Sequence, residues 1–149
     1  MVAINHALTG GLVAVAIGKP VLALPAALVS HFLIDMLPHW NYQVPGGPKL
    51  RPILIGIDML ASAAVLIFIG LGLGTETKLF IAGGILGIVP DLMWAPYILH
   101  SRPAPMDKKT PLHMVRRLHL KIQWNESTRG LVVEMAWLLL MLLLIFRLN

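Results

Sequence analysis

Cysteine is absent from this chain of 149 residues, which removes disulfides and thiolate metal sites as sources of stability or chemistry. Charge is scarce too. Charged residues make up 13%, about half the share expected of a soluble domain. Only seven residues are acidic. No G-x-S-x-G elbow, phosphate-binding loop or dinucleotide fingerprint is present, which removes the common serine-hydrolase and nucleotide-binding signatures. The opening residues, Met1 to Ala7, lack a cationic segment and a small-x-small cleavage site, so no cleaved signal peptide is expected.

Apolar side chains fill the space left by these absences. They make up 57% of the chain, and the mean hydropathy is +0.78. A single domain of this size must cover much of its surface with polar groups if water surrounds it. There are too few here, and a membrane is the solvent this composition suits.

Four hydrophobic stretches organise the sequence. Residues 7–37 are interrupted by Gly18-Lys19-Pro20. The part before the break is too short to cross, since a spanning helix needs roughly 17–25 residues, whereas residues 21–37 just suffice. The break suggests a short helix folding back onto a longer one, with Pro20 at a helix start; a single kinked helix is the competing reading. Residues 53–73, 78–99 and 130–146 are the further candidates, the third of these four stretches containing Pro90 and Pro96. In the polar segment 100–129, Thr110-Pro111 reads as a cap and first helical position. Leu112, Val115, His119 and Ile122 then recur at helical spacing, as in an amphipathic helix lying on the membrane surface or packing across the bundle. The expected fold is all-α: one domain, 1–149, forming an integral membrane bundle of four to five membrane-embedded helices plus one cytoplasmic amphipathic helix.

Charge sets the orientation. Residues 100–129 hold Arg102, Lys108, Lys109, Arg116, Arg117, Lys121 and Arg129, seven of the twelve basic residues. The positive-inside rule places that segment in the cytoplasm, of a prokaryotic inner membrane on this reading. The net charge of +5 is then topological and a contact for anionic lipid; nucleic acid is not expected as a partner. With this orientation His6, His31, Asp35, Asp58, Asp91, His119 and Glu134 all fall toward the cytoplasmic side. A carboxylate at bilayer depth costs about 2.5–3.5 kcal/mol on insertion scales, so several at one depth call for pairing, hydration or a cation.

Two local patterns sharpen this. His31-x-x-x-Asp35 puts an imidazole and a carboxylate on one helical face, a spacing that suits two ligands of one divalent ion. Pro90-Asp91 kinks its helix and leaves the Leu86 carbonyl without a donor, and Gly83, Gly84 and Gly87 give the same face a surface for close helix approach. His119 can reach the site from the amphipathic helix. Imidazole and oxygen donors without thiolate fit zinc, or manganese, and such an ion could activate water against an ester or phosphoester.

Asn5-His6, the run Ser30 to His39, and Gly87-Ile88-Val89-Pro90-Asp91 resemble the membrane-bound metal-dependent hydrolases (YdjM-like), a family similar in turn to zinc-dependent phospholipase C. The resemblance implies that His6, His31, Asp35 and Asp91 are metal ligands, with His119 a further one. It implies a hydrolase acting on a phosphoester or lipid-linked substrate at the cytoplasmic leaflet. Asp91 and Asp58 are then the candidate catalytic carboxylates, and Arg116 and Arg117 the cations for a substrate phosphate. The alternative is a non-catalytic membrane module whose buried His/Asp cluster is structural or ion-binding, with the basic segment contacting a partner or anionic lipid.

Overall fold

The computed structural model describes residues 1–40, 42, 50–99 and 109–148. The Pro-Gly loop around residues 45–48, and His100, Arg102, Asp107 and Lys108, lie outside the described residues. Seven α-helices make up the described chain, with no strands among them: α1 (Ala3–Ile17), α2 (Pro20–Ile34), α3 (Arg51–Gly72), α4 (Thr77–Leu92), α5 (Ala95–Leu99), α6 (Pro111–Ile122) and α7 (Gly130–Phe146). A single 3₁₀ turn, Gly74–Glu76, joins α3 to α4.

The first stretch is two helices. Gly18 takes φ +70° and its N–H closes on the Ala14 carbonyl, a left-handed stop that a side chain with a Cβ disfavours. Pro20 then opens α2. The stretch 78–99 is divided as well: α4 ends at Leu92 and α5 begins at Ala95, with Met93 and Trp94 in the turn. Among the described residues, α3 alone is long and apolar enough to cross a membrane, while α1, α2 and α7 are shorter apolar helices.

α1 is the hub, packed against α2, α3, α4 and α7. Its contact with α4 is backbone on backbone. A Cβ added to Gly83 would strike the Gly10 carbonyl and the Ala14 methyl, and one on Gly87 would strike the His6 carbonyl. The small-residue face read from the sequence is therefore where α1 docks. Beside it Ala7, Leu8, Leu66, Phe80, Ile88, Met141 and Ile145 form the apolar core.

Two carboxylates hold the start of α1. The Asp58 carboxylate accepts from the N–H groups of Ala3 and Ile4. Glu134 accepts from Val2 N at 3.1 Å, from Trp40 N at 3.3 Å and from the Asn5 side-chain amide. Free N–H groups at a helix start carry partial positive charge, and α3 and α7 supply the caps that α1's own sequence lacks.

α6 starts as expected, with the Thr110 hydroxyl accepting from the His113 N–H. Its inward face differs from the apolar stripe. His113, Arg116 and His119 are buried, whereas Leu112, Met114, Val115 and Leu118 are exposed. Polar groups on the bundle side attract the polar face of the helix and turn its apolar residues outward.

Candidate metal centre

His31, Asp35, Asp91 and His119 each present a ligand atom within 4.8 Å of the others. They come from separate elements: the last turn of α2 and its cap, the end of α4, and the last turn of α6. His6 of α1 joins them, its Nε2 lying 3.1 Å from one Asp35 oxygen and 3.9 Å from Asp91. Its ring stacks on that of His31, with centroids 3.9 Å apart. The helical spacing of His31 and Asp35 brings Nε2 within 3.3 Å of the carboxylate. The Met1 amino group also bonds Asp35.

Most of this cluster is closed to solvent. The side chains of His6, His31, Asp35 and His119 are fully buried, and Asp91 is 29% exposed. Asp91 is the donor with a face on the outside. Against it runs a cleft of about 650 Å³, whose wall includes Arg51, Ile55, Met59, Trp94 and Tyr97.

The outer contacts set the imidazoles. His31 Nδ1 lies 2.7 Å from the Gly87 carbonyl. A carbonyl can only accept, so Nδ1 carries the proton and Nε2 turns its lone pair into the cluster. Pro90 strips the donor from the Leu86 carbonyl, yet His31 finds the neighbouring one, Gly87. Both nitrogens of His6 are buried without a hydrogen-bond partner. A buried imidazole nitrogen in contact with two carboxylates but in no hydrogen bond is an arrangement that a divalent cation would satisfy. The donor set, imidazole and carboxylate without thiolate, suits a divalent cation. The residues present therefore fit a metal ion: His31, Asp35, Asp91 and His119 could hold it, with His6 beside them.

No protein-family model, curated protein or solved structure matches this chain. The hydrolase resemblance rests on the quoted sequence residues alone.

The structure brings together the five residues named as ligands and separates others. Asp58 is engaged with α1's first N–H groups and with the Tyr42 hydroxyl, away from the four-residue cluster. Burial and the neighbouring Asp58 push the Tyr42 phenol above its ordinary range, so it remains a donor. Arg116 is buried and gives two hydrogen bonds to the Met93 carbonyl, at 3.2 and 2.7 Å, while lying over the Tyr97 ring. Arg117 is half-buried. His39 leaves the His31–Asp35 stripe after Pro38: its backbone pairs with Asn125 and Ser127, and burial holds its imidazole below the ordinary histidine range.

Three participants escaped sequence reading. Gln123 donates to Asp35 Oδ2 at 3.2 Å, and its position one turn after His119 was a usable signal. Trp94 donates from its indole to His119 Nδ1 at 2.9 Å; it follows Asp91 closely, but nothing local forecasts its partner. The Gly87 carbonyl is backbone, which side-chain patterns do not reveal.

Proposed function

We propose that this chain is a membrane-embedded, metal-dependent hydrolase acting on a phosphoester or lipid-linked substrate at the cytoplasmic leaflet of a prokaryotic inner membrane. The observation that carries the reading is the convergence of buried imidazoles and carboxylates from α1, α2, α4 and α6, with an unsatisfied His6 nitrogen among them. Zinc is the preferred ion and manganese the second choice.

Membrane embedding is supported by the outer surface. Val21, Leu60, Phe68, Val132 and Phe146 are each at least 74% exposed. Only 17% of the apolar window in α3 is buried, unlike the core helix of a soluble protein. In this reading α3 crosses the bilayer, α1, α2, α4 and α7 are embedded beside it, and α6 lies at the cytoplasmic face with the basic segment 100–129.

A divalent ion supplies Lewis-acid polarisation of a phosphoryl oxygen and makes water more acidic. The protein's part follows from position. Asp91 borders the cleft and is placed to orient water or accept its proton. Ile55, Met59 and Ile98 offer an apolar wall to a lipid chain, and Arg51 lies on the same cleft for an anionic headgroup. Arg116, tied to Met93 and Tyr97, shapes the turn after α4 instead of serving the phosphate, and Arg117 remains the α6 cation for that role.

The test is metal content of the purified protein with a chelator control, joined to turnover of a phosphodiester in mixed micelles. Stoichiometric zinc or manganese with chelator-sensitive turnover is expected. A stable protein free of metal, taking up none on titration, would sink the reading in favour of a non-catalytic module.

A further inference from the structure

His31 and His119 meet through their Nε2 atoms at 3.1 Å, yet their outer hydrogen bonds are of opposite sense. His31 faces a carbonyl at Nδ1, so its proton sits outside and its lone pair inside. His119 faces an indole N–H at Nδ1. Indole nitrogen only donates, so His119 Nδ1 must accept, and the proton of the neutral ring is on Nε2. That proton points to Asp35 Oδ2, 2.6 Å away. The Gln123 amide converges on the same oxygen, which fits an acceptor receiving two donors. Ligation by His119 Nε2 needs a lone pair where this arrangement puts a proton.

We infer that His119 is not a ligand but a positioning residue that donates to Asp35, and that Trp94 enforces this role by occupying Nδ1. The inference rests on the metal-centre reading and narrows its donor set to His6, His31, Asp35 and Asp91. Histidine ligands usually donate their outer nitrogen to a carbonyl or carboxylate, as His31 does. His119 has the reverse partner. Trp94 is itself held by the turn that Arg116 organises: the guanidinium bonds the Met93 carbonyl and lies 6.0 Å from the Trp94 ring.

The experiment uses the full chain in detergent or nanodiscs with ¹⁵N-labelled histidine, zinc titration and X-ray absorption of the zinc-loaded form. His119 is expected to carry its proton on Nε2, and the zinc to show two imidazole neighbours. In Trp94→Phe, Nδ1 is released to hold the proton, and the count rises to three. His119→Gln keeps an amide N–H for Asp35 and is expected to bind zinc within about threefold of wild type, whereas His31→Gln weakens it by about a hundredfold or more. Three imidazoles in the wild type falling to two in His119→Gln overturns the inference, as does a proton on Nδ1. A count that stays at two in Trp94→Phe overturns the part given to Trp94. If no form takes up zinc, the metal centre itself falls and this assignment with it, an outcome distinct from three imidazoles.

Discussion

The Nδ1 proton of His31 is held by the carbonyl of Gly87 at 2.7 Å, and the same glycine has no room for a side chain because the His6 carbonyl lies against it. One backbone position thus sets the tautomer of one candidate ligand and the approach of the helix bearing another. Gly87→Ala is expected to push α1 from α4, destabilising the protein by about 1–3 kcal/mol as overpacking does, and to weaken zinc binding in parallel. Unfolding in detergent and zinc titration measure the two effects. Wild-type zinc affinity in a destabilised Gly87→Ala protein would show that His6 is not needed for the ion.

Asp35 stands at the centre of the cluster, in contact with His6, His31 and His119. Asp35→Asn keeps the shape and removes the charge, and zinc affinity should fall by about a hundredfold or more. Retention of full affinity in a competition assay against a chelator would refute the metal centre.

Asp58 caps α1 from a neighbouring helix. Asp58→Ala should cost about 1–2 kcal/mol, the usual price of losing a cap, with zinc affinity unchanged. A loss of turnover with no loss of stability would instead return Asp58 to the catalytic role expected of it from sequence.

The buried imidazole of His39 adds a pH dependence. Its folded value lies below the unfolded one because burial disfavours the charged ring, so the unfolded chain binds the extra proton first. Stability therefore falls as pH drops below about 6.5 toward the folded value. His39→Gln should flatten part of that slope between neutral and acidic pH. An identical slope in the two proteins would assign the effect to other groups.

Leu60 is 75% exposed on α3. If that face meets lipid, Leu60→Asp introduces an insertion penalty of about 2.5–3.5 kcal/mol near the helix centre. Membrane fractionation should show a marked drop in inserted protein. Unchanged insertion would mean that this face of α3 is not lipid-facing.

Much of the helical plan was legible from residue chemistry. The Gly18-Lys19-Pro20 stop, the Thr110 cap, the His31–Asp35 spacing and the glycine face of α4 all depend on local backbone rules. The grouping of His6, Asp91 and His119 with His31 and Asp35 was legible as well, from their places along the expected helices. Azimuth was not. Asp58 and Glu134 were grouped with the cluster on the sequence but approach α1 from α3 and α7, where they meet backbone N–H groups instead of imidazoles. The inward face of α6 was hidden for a related reason: its apolar stripe implied burial, but the bundle offered polar partners to Arg116 and His119. Residues 78–99 read as one crossing by composition, since hydropathy does not register the turn at Met93 and Trp94.

Beyond the donors themselves, the chain around His39 has a mechanical meaning. Its N–H pairs with the Asn125 carbonyl and its carbonyl with the Ser127 N–H, while Gly130 leaves no gap beside it. The exit of α2 is thereby stitched to the strand of chain between α6 and α7. Asp35 and His119 sit on either side of that seam, kept in register by these peptide groups together with the side-chain bonds of Asp35 to His119 and Gln123. Zinc fingers collapse when stripped because the ion is their fastener; here the two segments are also joined by backbone hydrogen bonds.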